Sequence, residues 1–270
     1  MDDRREGPLP PILSGKDHGS PSVFRAENLL REGRRQRGLG EGPVPSICLL
    51  DPDGDLLRHL LAEGRATPSP TWACYHTTLY VFELDGSTIG VIGCAVGSSF
   101  AVLVAEEMFA SGCELLISVT SSGQLRSLGP TPYFVLIDRA LRDEGTSYHY
   151  LPPSEYADAD PYLADTAFAA AERDGLQVHR GAVWTTDAPF RETEQAIAAM
   201  NARGLLAVEM ESAALYAFAR AKGKAVICFA HVTNTMARTE GDFEKGLANG
   251  AVDVMRLVGA IARAGRPVCA

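Results

Sequence analysis

Apolar positions along the chain fall into two alternating patterns: runs with helical spacing and short runs typical of strands. An amphipathic helix is expected at about Ala26 to Arg37, carrying Leu29 and Leu30 beside Arg31, Arg34, Arg35 and Arg37. From Pro45 the pattern becomes strand, turn, strand, helix. Ser46–Leu50 reads as a β-run that stops at the turn Asp51-Pro52-Asp53-Gly54. Thr77–Leu84 and Thr88–Ala95 flank Asp85-Gly86, a strong hairpin signal. Phe100, Leu103, Val104 and Met108 mark a helix over Ser98–Ala110. Strands follow at Leu115–Val119, Tyr133–Ile137, Val178–Trp184 and Ala225–Val232. Helices are expected at Pro161–Asp174, Glu192–Ala202, Ser212–Lys222 and Gly241–Arg263. This alternation predicts an α/β fold: a single domain with a central mixed β-sheet flanked by helices. Residues 1–43 stand apart as a Pro- and Gly-rich arm with the short helix, and residues 44–270 form the domain proper.

Composition narrows the picture. At 270 residues, 46% hydrophobic and 22% charged, the chain buries a sizeable core and is not intrinsically disordered. Its formal net charge of −9 argues against a nucleic-acid-coating role. Six cysteines without a C-x-x-C pair sit mostly in apolar runs, which suggests buried thiols in a reducing compartment. No metal constellation is visible. The start of the chain has no apolar leader segment, and no apolar run reaches membrane-spanning length without interruption. These features lead us to expect a soluble, cytoplasmic protein without nucleic-acid or membrane partners.

Five segments carry candidate chemistry. Gly93-Cys94-Ala95-Val96-Gly97-Ser98-Ser99 joins a strand to a helix, where a ligand can approach backbone N–H groups. Taken alone, an ordinary strand-to-helix turn explains it better. Leu116 to Gln124 ends a buried strand in the hydroxyls of Ser121 and Ser122 and in Gly123, where open α/β sheets bind ligands; a solvated loop explains it at least as well. In Val208-Glu209-Met210-Glu211-Ser212, two carboxylates bracket a methionine where an apolar strand meets an Ala-rich helix. A carboxylate accepts two hydrogen bonds at once and so suits a vicinal diol such as that of ribose. A helix N-terminus explains one glutamate but not two. Asn234 ends an apolar strand with an amide that both donates and accepts, which fits the edge of a heterocyclic base as well as a turn. His231, in the same strand, reads as a core histidine. Phe190 and Arg191 follow Thr185-Thr186-Asp187 in a turn, placed either to stack on a base and reach an oxygen, or to start a helix capped by Thr186 and Asp187.

In this order the motifs resemble the nucleoside phosphorylase family, which includes uridine phosphorylase, the hexameric purine nucleoside phosphorylases and the methylthioadenosine nucleosidases. The resemblance runs from about Pro45 to the end and is strongest at Val208 to Leu215, which is similar to the family's ribose-binding segment. It implies a three-layer α/β/α fold and cleavage of a nucleoside's N-glycosidic bond, with phosphate as co-substrate and no cofactor. It also implies a homo-oligomer, with His18 or Arg25 as candidate residues lent across an interface. Glu211 and Asn234 would be the catalytic residues. Gly97, Ser121, Ser122, Gly123, Phe190, Arg191, Glu209, Met210 and Glu211 would bind substrate.

Two departures from the family pattern bear on the nucleophile. Phosphorolytic relatives carry an arginine where this chain has Ser118, and a Gly-Asp-Pro-x-Arg turn where it has Asp51-Pro52-Asp53-Gly54-Asp55. Carboxylates repel phosphate, and two arginine forks are lost. Either another cation (Arg58, Arg126, Arg191 or an arm arginine) serves phosphate, or water attacks with Asp51, Asp53 or Asp55 as base. A non-catalytic nucleoside-binding member is the third possibility.

Overall fold

The computed structural model describes residues 9–236 and 240–264. Its elements are α1 (Ala26–Arg37), β1 (Ile47–Asp51), α2 (Asp55–Ala62), β2 (Thr67–Pro68), β3 (Tyr80–Leu84), β4 (Ser87–Gly93), α3 (Ser98–Ala110), β5 (Leu115–Gln124), β6 (Tyr133–Asp143), β7 (Tyr156–Asp158), α4 (Pro161–Arg173), β8 (Val178–Thr186), α5 (Glu194–Ala202), β9 (Ala207–Glu209), α6 (Ser212–Lys222), β10 (Ala225–Asn234) and α7 (Ala251–Ala264). The strands form one mixed sheet in the order β10-β6-β8-β9-β5-β1-β4-β3-β2, with β7 on β6. Every residue of β1 and β10 is buried, as expected of strands covered on both faces. Among the helices, α3 packs on α6, α4 on α7, and α2 on α7. Helix α1 joins the same body: Leu30 is buried, and a side chain at Gly33 would collide with the Ala73 carbonyl.

A second pairing changes the shape of this sheet. β10 hydrogen-bonds to β5 as well as to β6, so β5, β10, β6, β8 and β9 close into a ring. Within it Gly123 pairs with both Asn234 and Val208. A Cβ at Gly123 would lie 2.6 Å from Met236 Sδ and 3.2 Å from Val208 Cγ1, so a side chain there would have to displace Met236 and crowd Val208.

Four expectations need correction. The strand expected at Leu115–Val119 runs on to Gln124, because the hydroxyl-rich end has partners on both β10 and β9. The helix expected from Gly241 starts at Ala251. Before it, Ala248 and Asn249 adopt left-handed φ values of 52° and 55°, which break helical geometry. Helix α2 follows directly on the acidic turn, where the sequence reading placed only a turn. Helix α5 is capped by Thr193 rather than by Thr186 or Asp187. Among the cysteines, 48, 74, 113 and 228 are buried and Cys94 is exposed, while Cys269 lies outside the described residues.

Candidate active site

The two glutamates after β9 have different environments. Glu209 is fully engaged by its own fold. One carboxylate oxygen accepts from the Thr185 hydroxyl, and the other accepts from the Glu211 N–H, the Ser212 N–H and the Ser212 hydroxyl, each at 2.8 Å. It thereby fixes the start of α6 to the end of β8. From the sequence Glu209 is expected to bind substrate; here its acceptor positions serve the helix terminus. Burial pushes its carboxyl above the usual range, and the four donors pull it back.

Glu211 is 1% exposed and only half satisfied. Its Oε1 accepts the Gly97 N–H at 2.7 Å, whereas Oε2 has no hydrogen-bond partner among the described residues, with the Thr120 hydroxyl nearby. Burial first, and then the neighbouring Glu209 charge, push its carboxyl up to about 8. Gly97, at φ 90°, presents its N–H to the carboxylate. The next residue ties down the same segment, because the Ser98 hydroxyl donates to the Met210 carbonyl at 2.7 Å. The glycine turn and the two-glutamate segment are therefore one structure.

The hydroxyl-rich end of β5 completes this corner. The Ser121 N–H donates to Asp53 Oδ2 at 2.7 Å, and its hydroxyl meets that of Thr233 at 2.7 Å. Asn234 is 6% exposed, and its amide serves the loop around it: Nδ2 donates to the Ser122 carbonyl and the Thr233 hydroxyl, and Oδ1 accepts from the Met236 N–H. Asn234 and Gly123 thus form one wall. His231 is buried, stacked on Phe134 with centroids 4.6 Å apart, and burial lowers its pKa to about 4, so it is a neutral core histidine.

The base-side turn is not brought into this cluster. Phe190 is 99% exposed and Arg191 is exposed, both on the single turn Pro189–Arg191. The next residue, Glu192, is half-buried, and burial raises its carboxyl to about 7. No sequence signal separates it from an ordinary residue at a helix start.

The acidic turn faces the same corner. Asp51 is buried, accepts the Leu57 N–H at 2.9 Å, and is raised to about 6 by burial. Asp55 is gripped by Lys245 and by Arg58, at 2.5 Å and 2.6 Å. Burial alone would raise Asp55, but these two cations hold it below the usual carboxylate range. Lys245 escaped the sequence reading because it lay inside an expected surface helix. Arg126 is exposed.

A family model described as the Phosphorylase superfamily matches residues 46–263. A guanosine phosphorylase from Halorubrum lacusprofundi is 31% identical over 140 residues, covering 52% of this chain and 58% of the relative. A DeoD-type purine nucleoside phosphorylase from Myxococcus xanthus is 32% identical over 140 residues, 51% of this chain and 59% of that relative. The match thus spans less than two thirds of the length of these curated relatives. Among solved structures, a uridine phosphorylase from Vibrio fischeri ES114 superposes with a TM-score of 0.68 at 18% identity, covering 82% of this chain and 93% of that one. That likeness supports the fold, and the family match extends through the glycine turn, β5, the Glu209–Glu211 segment and β10. The chain belongs to the phosphorylase superfamily.

Proposed function

We propose that the protein is a pentosyltransferase that cleaves the N-glycosidic bond of a purine nucleoside by phosphorolysis, releasing the base and (deoxy)ribose 1-phosphate. The observation that carries this reading is the buried Glu211 carboxylate, with one oxygen fixed by Gly97 and the other left for a ligand donor. Sugar hydroxyls donating to that oxygen satisfy it and favour its ionised form. The Glu211 carboxylate then faces a ribosyl group that becomes cationic as the base departs, so its charge counts most in the transition state. Met210 packs beneath the sugar. In this reading Gly97, Ser121, Ser122, Gly123 and Asn234 contact the nucleoside, and Glu209 acts by holding Glu211 in place. Phe190 and Arg191 reach the base only if their exposed turn folds inward. The purine assignment follows the printed names of the curated relatives.

A second reading, hydrolysis, has one specific observation in its favour: the Asp53 carboxylate takes the Ser121 N–H, a donor that a phosphate oxygen would otherwise use. We also propose a homo-oligomer acting in the cytoplasm. Among the described residues no helix is long and apolar enough to cross a membrane.

The test is chromatographic base release from a panel of purine and pyrimidine ribonucleosides. Release from purine nucleosides that depends on inorganic phosphate supports the proposal. No release from any nucleoside refutes it.

A further inference from the structure

We propose that the cavity between α4, α6, β7 and the start of β10 is a second ligand site, which takes a small organic anion with an apolar body. It lies away from the Glu211 corner and does not depend on the nucleoside reading: Ala225 and Asn234 are nine strand steps apart along β10, roughly 30 Å. The course of β6 makes the space. Residues 133–136 of β6 pair with residues 229–232 of β10. The ladder to β8 then slips at Asp138, and beyond it residues 139–141 pair with β7 instead of β10. The two strands therefore part. Tyr216 of α6 spans the split, its hydroxyl donating to the Ile137 carbonyl at 2.5 Å and accepting the Cys228 N–H at 3.0 Å. Beyond that bridge the sheet stays open, over a cavity of about 1360 Å³. Its floor holds Ala159, Ala164, Ala219, Ala225 and Val226, all buried, and side chains this small leave the volume unfilled. Pockets that enclose drug-sized molecules run to about 300–1,000 Å³, so a ligand of nucleotide size has room here.

The charges around the mouth are unevenly matched. Arg180 pairs with Asp165 at 2.5 Å and Asp138 at 3.7 Å, and Arg203 pairs with Glu155. Asp160 caps α4, accepting the Leu163 N–H at 2.8 Å, while Asp158 stands opposite Arg139 in the β6–β7 ladder. Arg220 and Lys224 are left over. Among the described residues the Arg220 side chain has no hydrogen bond, ion pair or ring contact, and that of Lys224 has only the Phe109 ring, whose centroid is 5.5 Å from its ammonium. A helix C-terminus favours cations wherever they point, but these two stand beside Ala219 and Ala225 on the wall of the cavity. An anionic group placed there meets both cations without displacing a carboxylate. The buried alanines and Val226 then receive the apolar part of the same molecule. A bare inorganic ion would leave that surface and most of the volume empty.

Isothermal titration calorimetry of the full chain tests the site with three probes: guanosine 5′-monophosphate, 1-naphthoate and inorganic phosphate. At least one of the two organic anions is expected to bind, and inorganic phosphate about tenfold more weakly or less, since it has no apolar part to bury. Binding of the monophosphate alone identifies a nucleotide as the ligand, and binding of naphthoate alone an aromatic acid. Arg220→Ala combined with Lys224→Ala, both exposed positions, raises Kd for that anion by about tenfold or more through lost charge-assisted contacts. Glu211→Gln, at the other end of the fold, leaves the same Kd within about twofold. The proposal is overturned if neither organic anion binds, if phosphate binds as tightly as they do, or if binding is indifferent to the double variant. Binding that Glu211→Gln abolishes also overturns it, because the anion has then entered the proposed nucleoside site.

Discussion

Glu211→Gln changes one charge at a buried, half-satisfied carboxylate, and its effect on stability has a definite sign. The carboxyl is raised from 4.5 to about 8, by burial first and then by Glu209. Between those two values the folded chain holds a proton that the unfolded chain has released. Stability therefore falls as pH rises through this window, at a limiting slope of about 1.4 kcal/mol per pH unit. From pH 5 to pH 8 the ceiling is about 4 kcal/mol. Glutamine stays neutral throughout and keeps an oxygen acceptor for the Gly97 N–H. The variant should therefore gain on wild type as pH rises. At about 2 °C per kcal/mol for a chain of this size, the widening in Tm is up to about 8 °C. Calorimetric unfolding of both proteins from pH 5 to 8, without nucleoside, measures it. Nucleoside added at saturation narrows the gap at pH 8, because sugar hydroxyls then satisfy the wild-type oxygen. Parallel Tm curves across the range would refute the claim that Glu211 is a strained, ligand-awaiting acid.

Other expectations follow from the same geometry. Glu211→Ala loses more than about a hundredfold in kcat/KM on ribonucleosides through lost sugar positioning, and a near-normal rate removes the residue from the site. Glu209→Gln sets an amide donor against the start of α6 and costs about 1–3 kcal/mol of stability by denaturant unfolding; an unchanged midpoint would show that the helix start does not depend on it. Tyr216→Phe removes a buried hydroxyl that donates to the Ile137 carbonyl at 2.5 Å and accepts the Cys228 N–H at 3.0 Å. It lowers stability by about 1–3 kcal/mol and leaves KM for nucleoside unchanged. Light scattering should show a homo-oligomer, and a fully active monomer would refute the shared-site expectation.

The sequence was most legible where local pattern and final packing agree. Helix α1 spans Ala26–Arg37 as expected, because its few apolar residues already lie on one face, and Leu30 is the one that becomes buried. Helices α3 and α6 and the strands beside them were equally readable from their apolar runs. Reading failed where distant segments decide. Ser121 to Gly123 look like a loop because of their hydroxyls and glycine, yet β10 and β9 supply ladder partners from more than eighty residues away. The stretch from Gly241 to Gly250 reads as the start of the last helix, but it holds three glycines, and the backbone is left-handed at Ala248 and Asn249 while Lys245 pairs with Asp55 across the fold. Glu209 and Glu211 are chemically identical in the sequence. Only the donors supplied by Thr185 and Ser212 separate the anchor from the half-satisfied acid.

Phosphorus NMR of a reaction containing the full chain, a purine ribonucleoside and inorganic phosphate reads the bond-forming step directly. A ribose 1-phosphate resonance growing in step with free base and with loss of inorganic phosphate is the expected result. Free base accumulating with an unchanged phosphate signal would contradict phosphorolysis and assign the attack to water.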